Sequence, residues 1–419
     1  MLELLKGHLV SAPRLGALDI VENGYLALED GVVRGVFPCL PEQYRGAPVA
    51  DFGNRLILQS FADMHLHGAQ YPMLGLGMDV PLLDWLSQYA FPLEARFADT
   101  GFAREVYPAL AKALADNGTT RVCMFSSLHT DATLVLMEAL EQAGITGYVG
   151  KVNMDRNGGE NLQETTEESQ RETLRWLDAC DGFRHIRPML TPRFTPSCTD
   201  ELLAFLGALS RERHLPVQSH LSENLAEMEL VRSLHPDCAQ YWETYEKYGL
   251  FHERTILAHC VHSDARERAA LRDHGVLVAH APDSNINICS GFAPVRTMLD
   301  EGVQVALGSD IAGGALLPMN QVITSAIRTS KARRIASGYE EDFLTVAEAY
   351  YLGTSAGARF FGAGAGFAPG DPLHAIVVDE SAFPPSGKPL TLEERFERAM
   401  YLLRADDIVT CYSEGRRIK

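Results

Sequence analysis

The strongest constraint on this chain is a rhythm. From about residue 57 onward, short apolar runs alternate with longer stretches whose apolar residues recur every three or four positions. Eight such runs can be read: 56–64, 119–125, 147–153, 185–190, 215–219, 254–258, 275–279 and 303–307. Between them lie helical patterns such as 102–116 and 132–143. Strands separated by helices cannot pair as hairpins; they pair in parallel through βαβ crossovers. Eight units over roughly 300 residues fit a (β/α)8 barrel. A doubly wound open sheet should carry a Gly-x-Gly-x-x-Gly turn after an early strand, and the sequence has none.

The two ends read differently. Residues 1–57 suggest short strands with tight turns, including a hairpin over 24–37 around Glu29-Asp30-Gly31. After a glycine-rich connection at 362–370, strand character returns at 374–379 and 407–416. The expected fold is therefore α/β: a barrel over 58–364, with a small β-sandwich domain built from both chain termini, 1–57 with 365–419.

Charge and cysteine usage narrow the function class. A net charge of −18 without any Lys/Arg run argues against nucleic acid or an anionic membrane as partner. No apolar run approaches the ~18 residues of a membrane span. The start, Met-Leu-Glu-Leu-Leu-Lys, lacks the basic region and long apolar core of a signal peptide. None of the eight cysteines forms a Cys-x-x-Cys pair, which points to free thiols in a reducing compartment. A cytoplasmic location is expected.

Enzymes on a (β/α)8 barrel place their chemistry where strands end. The first run leads into His65-Leu-His67, whose side chains, two apart on an extended segment, face the same way. The fourth leads into Thr191-Pro-Arg193-Phe194, and the fifth into His220, with Glu223 three residues on. The sixth ends at His259, the seventh at His280, ahead of Asp283 and Asn285, and the eighth at Asp310. Any one of these is most simply a hydrogen-bonded structural residue. Gathered around one axis, they would desolvate several ionisable groups together unless a cation bound them. Three imidazoles and a carboxylate suit Zn²⁺, with Fe²⁺ also compatible. Asp310 and Glu223, on different loops, would then serve as base and acid in a hydrolytic site.

Several of these segments carry a resemblance. Phe61-Ala-Asp-Met-His-Leu-His67, Asn117-Gly-Thr-Thr120, Gln218-Ser-His-Leu-Ser-Glu223 and Leu307-Gly-Ser-Asp310 resemble the amidohydrolase superfamily. His67-Gly-Ala-Gln-Tyr-Pro72, the 81–97 stretch, Gly150-Lys-Val-Asn-Met-Asp155, Thr191-Pro-Arg-Phe194 and Asp310-Ile-Ala-Gly-Gly314 are similar, more narrowly, to guanine deaminases. The resemblance implies zinc ligands at His65, His67, His220 and Asp310, and a further histidine, His259, beside the metal. It implies a proton shuttle at Glu223 and substrate-holding positions at Gln70, Arg193, Phe194 and His220. It further implies hydrolytic deamination of guanine to xanthine and ammonia, by a homodimer. Physically, Arg193 can donate to a purine carbonyl, Gln70 can both donate and accept, and Phe194 can stack on a planar ring.

Two departures and two alternatives stand beside this. Ala281-Pro-Asp283 replaces a more usual Cys-Pro-Thr, and the carboxylate is expected outside the pocket. Trp85, Tyr89, Phe91 and Phe97 are expected as packing, on an insert that could also shape the pocket or a subunit contact, and His129, His185, His262 and His280 as supporting residues. His8, His214, His235, His252, His274 and His374 are expected on the surface or on helices. One alternative is an aminohydrolase of another heterocycle, an oxidised purine, pterin or triazine. The other is a non-catalytic binding protein that keeps the fold.

Overall fold

A computed structural model describes residues 1–159 and 161–419. Four strands come first: β1 (Leu2–Arg14), β2 (Ala17–Glu29), β3 (Val32–Phe37) and β4 (Val49–Gln59). The barrel strands follow: β5 (Phe61–His67), β6 (Thr119–Phe125), β7 (Thr146–Gly150) with its short continuation β8 (Val152–Asn153), and β9 (Ile186–Pro188) with β10 (Thr191–Pro192). Then come β11 (Val217–Leu221), β12 (Thr255–His259), β13 (Leu277–His280) and β14 (Gln304–Leu307). The chain closes with β15 (Ala375–Val378), β16 (Ile408–Ser413) and β17 (Arg416–Arg417).

The barrel consists of two parallel arcs, β5-β6-β7-β9 and β11-β12-β13-β14. A parallel bridge between Leu190 and Val217 joins them on one side. On the other side the Asp310 amide donates to the His65 carbonyl at 2.8 Å and the His67 amide to Ile311 at 3.0 Å. All eight expected strands are present. The first is displaced: the apolar run 56–64 straddles two elements, because β4 ends at Gln59 in the terminal sheet and β5 starts at Phe61 in the barrel.

The strands of both termini form one continuous seven-stranded sheet, ordered β17-β16-β15-β4-β1-β2-β3. The terminal-sheet domain takes this form with β1, the end of β4 and β15 buried on both faces. Leu5, Leu9, Ile57, Ala375 and Val377 enclose a core of their own, while Val10, Leu56, Leu58, Ile376 and Val378 pack with the barrel. The odd–even split follows from the two-residue period of a strand. The hairpin between β2 and β3 turns at Asp30 and Gly31, both with positive φ (53° and 80°), as a tight primed turn needs.

Helices start on local capping chemistry. Asp99 caps the helix Thr100–Asp116 by accepting from the Gly101 amide. Gly118, in the left-handed conformation (φ 76°), ends that segment and turns the chain into β6. A side chain there would meet Ile376 of β15 at 2.8 Å, so the turn also seats the terminal sheet against the barrel.

Candidate active site

The ends of four barrel strands converge. His65 and His67 close β5, His220 lies in β11, His259 ends β12 and Asp310 follows β14; all five are buried. His67 Nε2 lies 3.2 Å from His220 Nε2. Asp310 Oδ1 lies 3.1 Å from His65 Nε2 and 3.4 Å from His67 Nε2. Ligand atoms about 2.0–2.1 Å from one tetrahedral ion would be spaced by roughly 3.3 Å, so these separations suit a single small cation. The polarity agrees. His220 Nδ1 must donate to the Arg193 carbonyl (2.6 Å), which leaves its Nε2 as a lone pair facing inward. His259 Nδ1 is engaged by Asn285 Oδ1 at 2.8 Å, so its Nε2 also faces the cluster. His65 Nε2 is buried without any hydrogen-bond partner. The inward-facing Nε2 atoms of His220 and His259 and the Asp310 carboxylate are costly to bury together unless a cation completes them.

The backbone is bent to aim these groups. Ser222, His259, Cys260 and Asp310 take positive φ values of 46°, 74°, 47° and 47° at strand ends. For residues other than glycine such conformations cost about 1–3 kcal/mol each and persist only where the surroundings hold them. One such hold is Asp63 on β5, which accepts from the Ser309 amide (2.9 Å) and hydroxyl (2.5 Å) and ties β5 to the loop after β14. Another is the tight seat of Gly308, where a Cβ would fall 2.7 Å from His65 Cβ.

Two carboxylates in the site are driven in opposite directions. Burial, reinforced by the charges of Glu227 and Asp310, pushes the Glu223 carboxyl well above its usual range. Burial works the same way on Asp310, but the imidazoles of His65, His259 and His67 outweigh it and hold that carboxyl well below its usual range. Burial lowers the His67 and His220 imidazoles and takes His259 down to about 4. Glu223 reaches the cluster because Asn224 caps the helix Leu225–Leu234, with Glu227 returning a carboxylate oxygen to the Glu223 amide at 3.0 Å. Its Oε2 then lies 3.5 Å from His259 Nε2, and its Oε1 is buried without a partner. A neutral acid beside an ionised carboxylate is the arrangement acid–base chemistry requires.

The opposite wall comes largely from the insert after β5. Its helical turns Gly68–Met73 and Leu82–Ala95 carry Gln70, Trp85, Phe91 and Glu94. Arg193, after β10, donates from Nη1 and Nη2 to the two oxygens of Glu94, at 2.5 and 2.9 Å. Gln70 Nε2 donates to Glu94 Oε1 at 2.8 Å, while Gln70 Oε1 accepts from the Ala312 amide at 3.0 Å. The amide of Gln70 is thus fixed at both ends. The guanidinium carbon of Arg193 sits 4.9 Å from the Phe91 ring centre. Between the two walls lies a narrow cavity lined by Gln70, Trp85, Arg193, Phe194, Glu223 and Asp310 among others.

The amidohydrolase family model matches residues 56–417. The chain belongs to the amidohydrolase family. It is 33% identical to the guanine deaminase of Dictyostelium discoideum over 100% of this chain and 98% of that protein. It is 34% identical to the human guanine deaminase over 100% of this chain and 93% of that one. Among solved structures it resembles a guanine deaminase from C. acetobutylicum with bound guanine in the active site: TM-score 0.97 and 40% identity, with both chains fully covered.

In this amidohydrolase every site residue anticipated from sequence lines the cavity or the cluster behind it: His65, His67, Gln70, Arg193, Phe194, His220, Glu223, His259 and Asp310. Asp283 lies outside, accepting from the Ala315 amide at 2.7 Å and so holding the loop after β14. Trp85 packs as expected, in a cluster with Leu82 and Leu86, and also lines the pocket. Phe91 underlies Arg193, whereas Phe97 packs in the core on Tyr107. His8 and His235, read as surface or helix positions, are buried, and the His374 side chain is nearly so; they bond to Asn54, Arg156 and Glu414. Glu94 was not singled out at all. A lone glutamate between Leu93 and Ala95 is the only local signal, and nothing local reveals its partner.

Proposed function

We propose that this chain hydrolyses guanine to xanthine and ammonia. The observation that carries this reading is the pairing of two walls: a neutral Glu223 and an ionised Asp310 face a slot whose far side offers Arg193, Gln70 and the Phe194 ring. The whole-chain likeness to guanine deaminases supports it. His65, His67, His220 and Asp310 are the residues we assign to the cation, one per subunit, with zinc favoured by three imidazoles and a carboxylate and ferrous iron compatible. A cation of this class, when bound, brings the pKa of water at the site toward neutrality.

The residues then divide the work. Arg193 and Gln70 hold the ring's carbonyl edge, and Phe194 stacks on its face. Asp310 accepts a proton from the attacking water as its oxygen bonds to the amino-bearing carbon. Glu223 delivers its proton to the adjacent ring nitrogen. In the collapse, the proton on Asp310 passes to the amino group, the carbon–nitrogen bond breaks and ammonia leaves. The hydroxyl proton returns to Glu223 as the second carbonyl forms, so both carboxyls end as they began. His259 orients the water through its place between Glu223 and Asp310, 3.5 and 3.8 Å away.

We take residues 58–364 as the catalytic domain and 1–57 with 365–419 as its support. No helix among the described residues is long and apolar enough to cross a membrane. All eight cysteines are free, which supports a cytoplasmic setting. Exposed Ile335, Tyr339 and Phe343 supply an apolar edge suited to a second copy in a homodimer.

The test is ammonia release, with the ultraviolet change of the ring, from guanine and a panel of aminated purines, pterins and triazines. Guanine should turn over fastest, and Glu223→Gln should lower kcat by about 10²–10⁴-fold with the cation retained. Faster turnover of another ring would move the substrate but keep the chemistry. No release from any ring, with metal bound, would favour the non-catalytic alternative.

A further inference from the structure

The ion pair on the recognition wall sets up a choice between neutral and anionic ligands. Glu94 is only 1% exposed and Arg193 only 2%; Arg193 and Gln70 line the pocket, and Glu94 stands behind them as their shared acceptor. Glu94 receives three donors: one from each terminal nitrogen of Arg193 and one from Gln70. No other carboxylate among the described residues lies within ion-pair distance of Arg193. An unpaired guanidinium in a dry pocket would attract an anion; paired to Glu94, it offers hydrogen-bond donors with no net charge. The other titratable groups around the pair have no fixed positive charge to offer. Across the cavity stand Glu223, Asp310, His67, His220 and His259, and behind Glu94 are His129 and Tyr107.

Resting on the guanine reading above, we propose that Glu94 is a specificity-determining residue that makes the site take the uncharged purine and release its ionised product. Xanthine carries one more ring carbonyl than guanine and gives up a ring proton more readily. At neutral to mildly alkaline pH the product is therefore partly an anion while the substrate is not. A recognition wall of zero net charge holds a neutral carbonyl but gains nothing from the anion. Product release is thereby coupled to the product's own acidity. Glu94 also fixes the amide of Gln70, since its oxygens can only accept and the Ala312 amide can only donate.

The experiment compares KM for guanine with the competitive inhibition constant of xanthine, from neutral to mildly alkaline pH, in the metal-loaded enzyme. In the unaltered protein, xanthine inhibition should weaken as xanthine ionises while KM for guanine stays level. In Glu94→Gln the two constants should part: KM for guanine rising about tenfold, and xanthine binding about tenfold tighter, increasingly so as pH rises. The double variant E94Q/R193M, with both charges removed, should lose that gain for xanthine. Weakening of both ligands alike in E94Q would reduce Glu94 to a structural part and overturn the proposal. So would inhibition of the unaltered protein that tightens as xanthine ionises, a result that decides the matter even if E94Q fails to fold. Failure of the unaltered, metal-loaded protein to release ammonia from guanine would instead count against the guanine reading itself.

Discussion

The two walls of the cavity solve opposite electrostatic problems. On the catalytic wall, ring nitrogens of His65, His67, His220 and His259 crowd together with the carboxylate of Asp310 in a buried cluster. On the recognition wall, Arg193 and Gln70 pair with Glu94 and keep further N–H groups for a ligand. One wall calls for a cation, and the other has its charges paired before any ligand arrives. Their supports differ too. The first stands on strand ends with positive-φ bends, the second on a helical insert and the loop after β10. The barrel strand ends thus carry the metal-ligand cluster, and the insert with the loop after β10 carries the facing wall.

If the walls are independent, removing the cation should disable only one of them. His65→Ala, or chelation, should abolish metal binding and lower turnover by about a thousandfold or more. Calorimetry should still detect guanine binding, and its loss would show that the recognition wall depends on the metal. Arg193→Ala attacks the other wall and strands Glu94 as a buried, unpaired carboxylate. Breaking such a pair costs about 3–5 kcal/mol, to be read from denaturant unfolding, with metal content unchanged. A smaller loss would mean that water reaches the pair. Phe194→Ala removes only a stacking surface worth about 0.5–1.5 kcal/mol, so KM for guanine should rise up to about tenfold with kcat nearly unchanged.

The smallest effect concerns Glu267, behind the catalytic wall, which accepts from the Ser222 hydroxyl at 2.7 Å. Burial raises its carboxyl from 4.5 to about 7. The folded state therefore holds this proton more tightly than the unfolded chain, so the contribution is full below about pH 4.5 and is lost as pH rises through about 7. Glu267→Gln should flatten the fall in unfolding free energy over that window. An unchanged slope would assign the pH dependence to other groups, Glu227 first.

The catalytic wall was legible in the sequence because its residues sit at positions defined by a local pattern, the last residues of apolar runs. His65-x-His67, His220, His259 and Asp310 announce themselves that way. Glu94 does not: its significance comes from Arg193, 99 residues away, and no periodicity links the two. The break between β4 and β5 was hidden because Ser60 and Gln59 are the only polar residues between two apolar segments. The buried histidines His8 and His235 were hidden for the same reason as Glu94, since their partners are remote in the chain. Likewise, the β2–β3 hairpin, β15 and β16 could be found locally, whereas the thirteen-residue β1 and the order in which the strands pair could not.

That order has a consequence for how the protein is made. β4 lies between β1 and β15, and Gln59 pairs with Ala375. While a ribosome extends the chain, one hydrogen-bonding edge of β4 stays open until the barrel has been synthesised, which at 5–20 residues per second is on the order of tens of seconds. An apolar, unpaired strand edge exposed that long is a template for pairing with other chains. The nascent protein therefore depends on early shielding of a strand whose native neighbour does not yet exist.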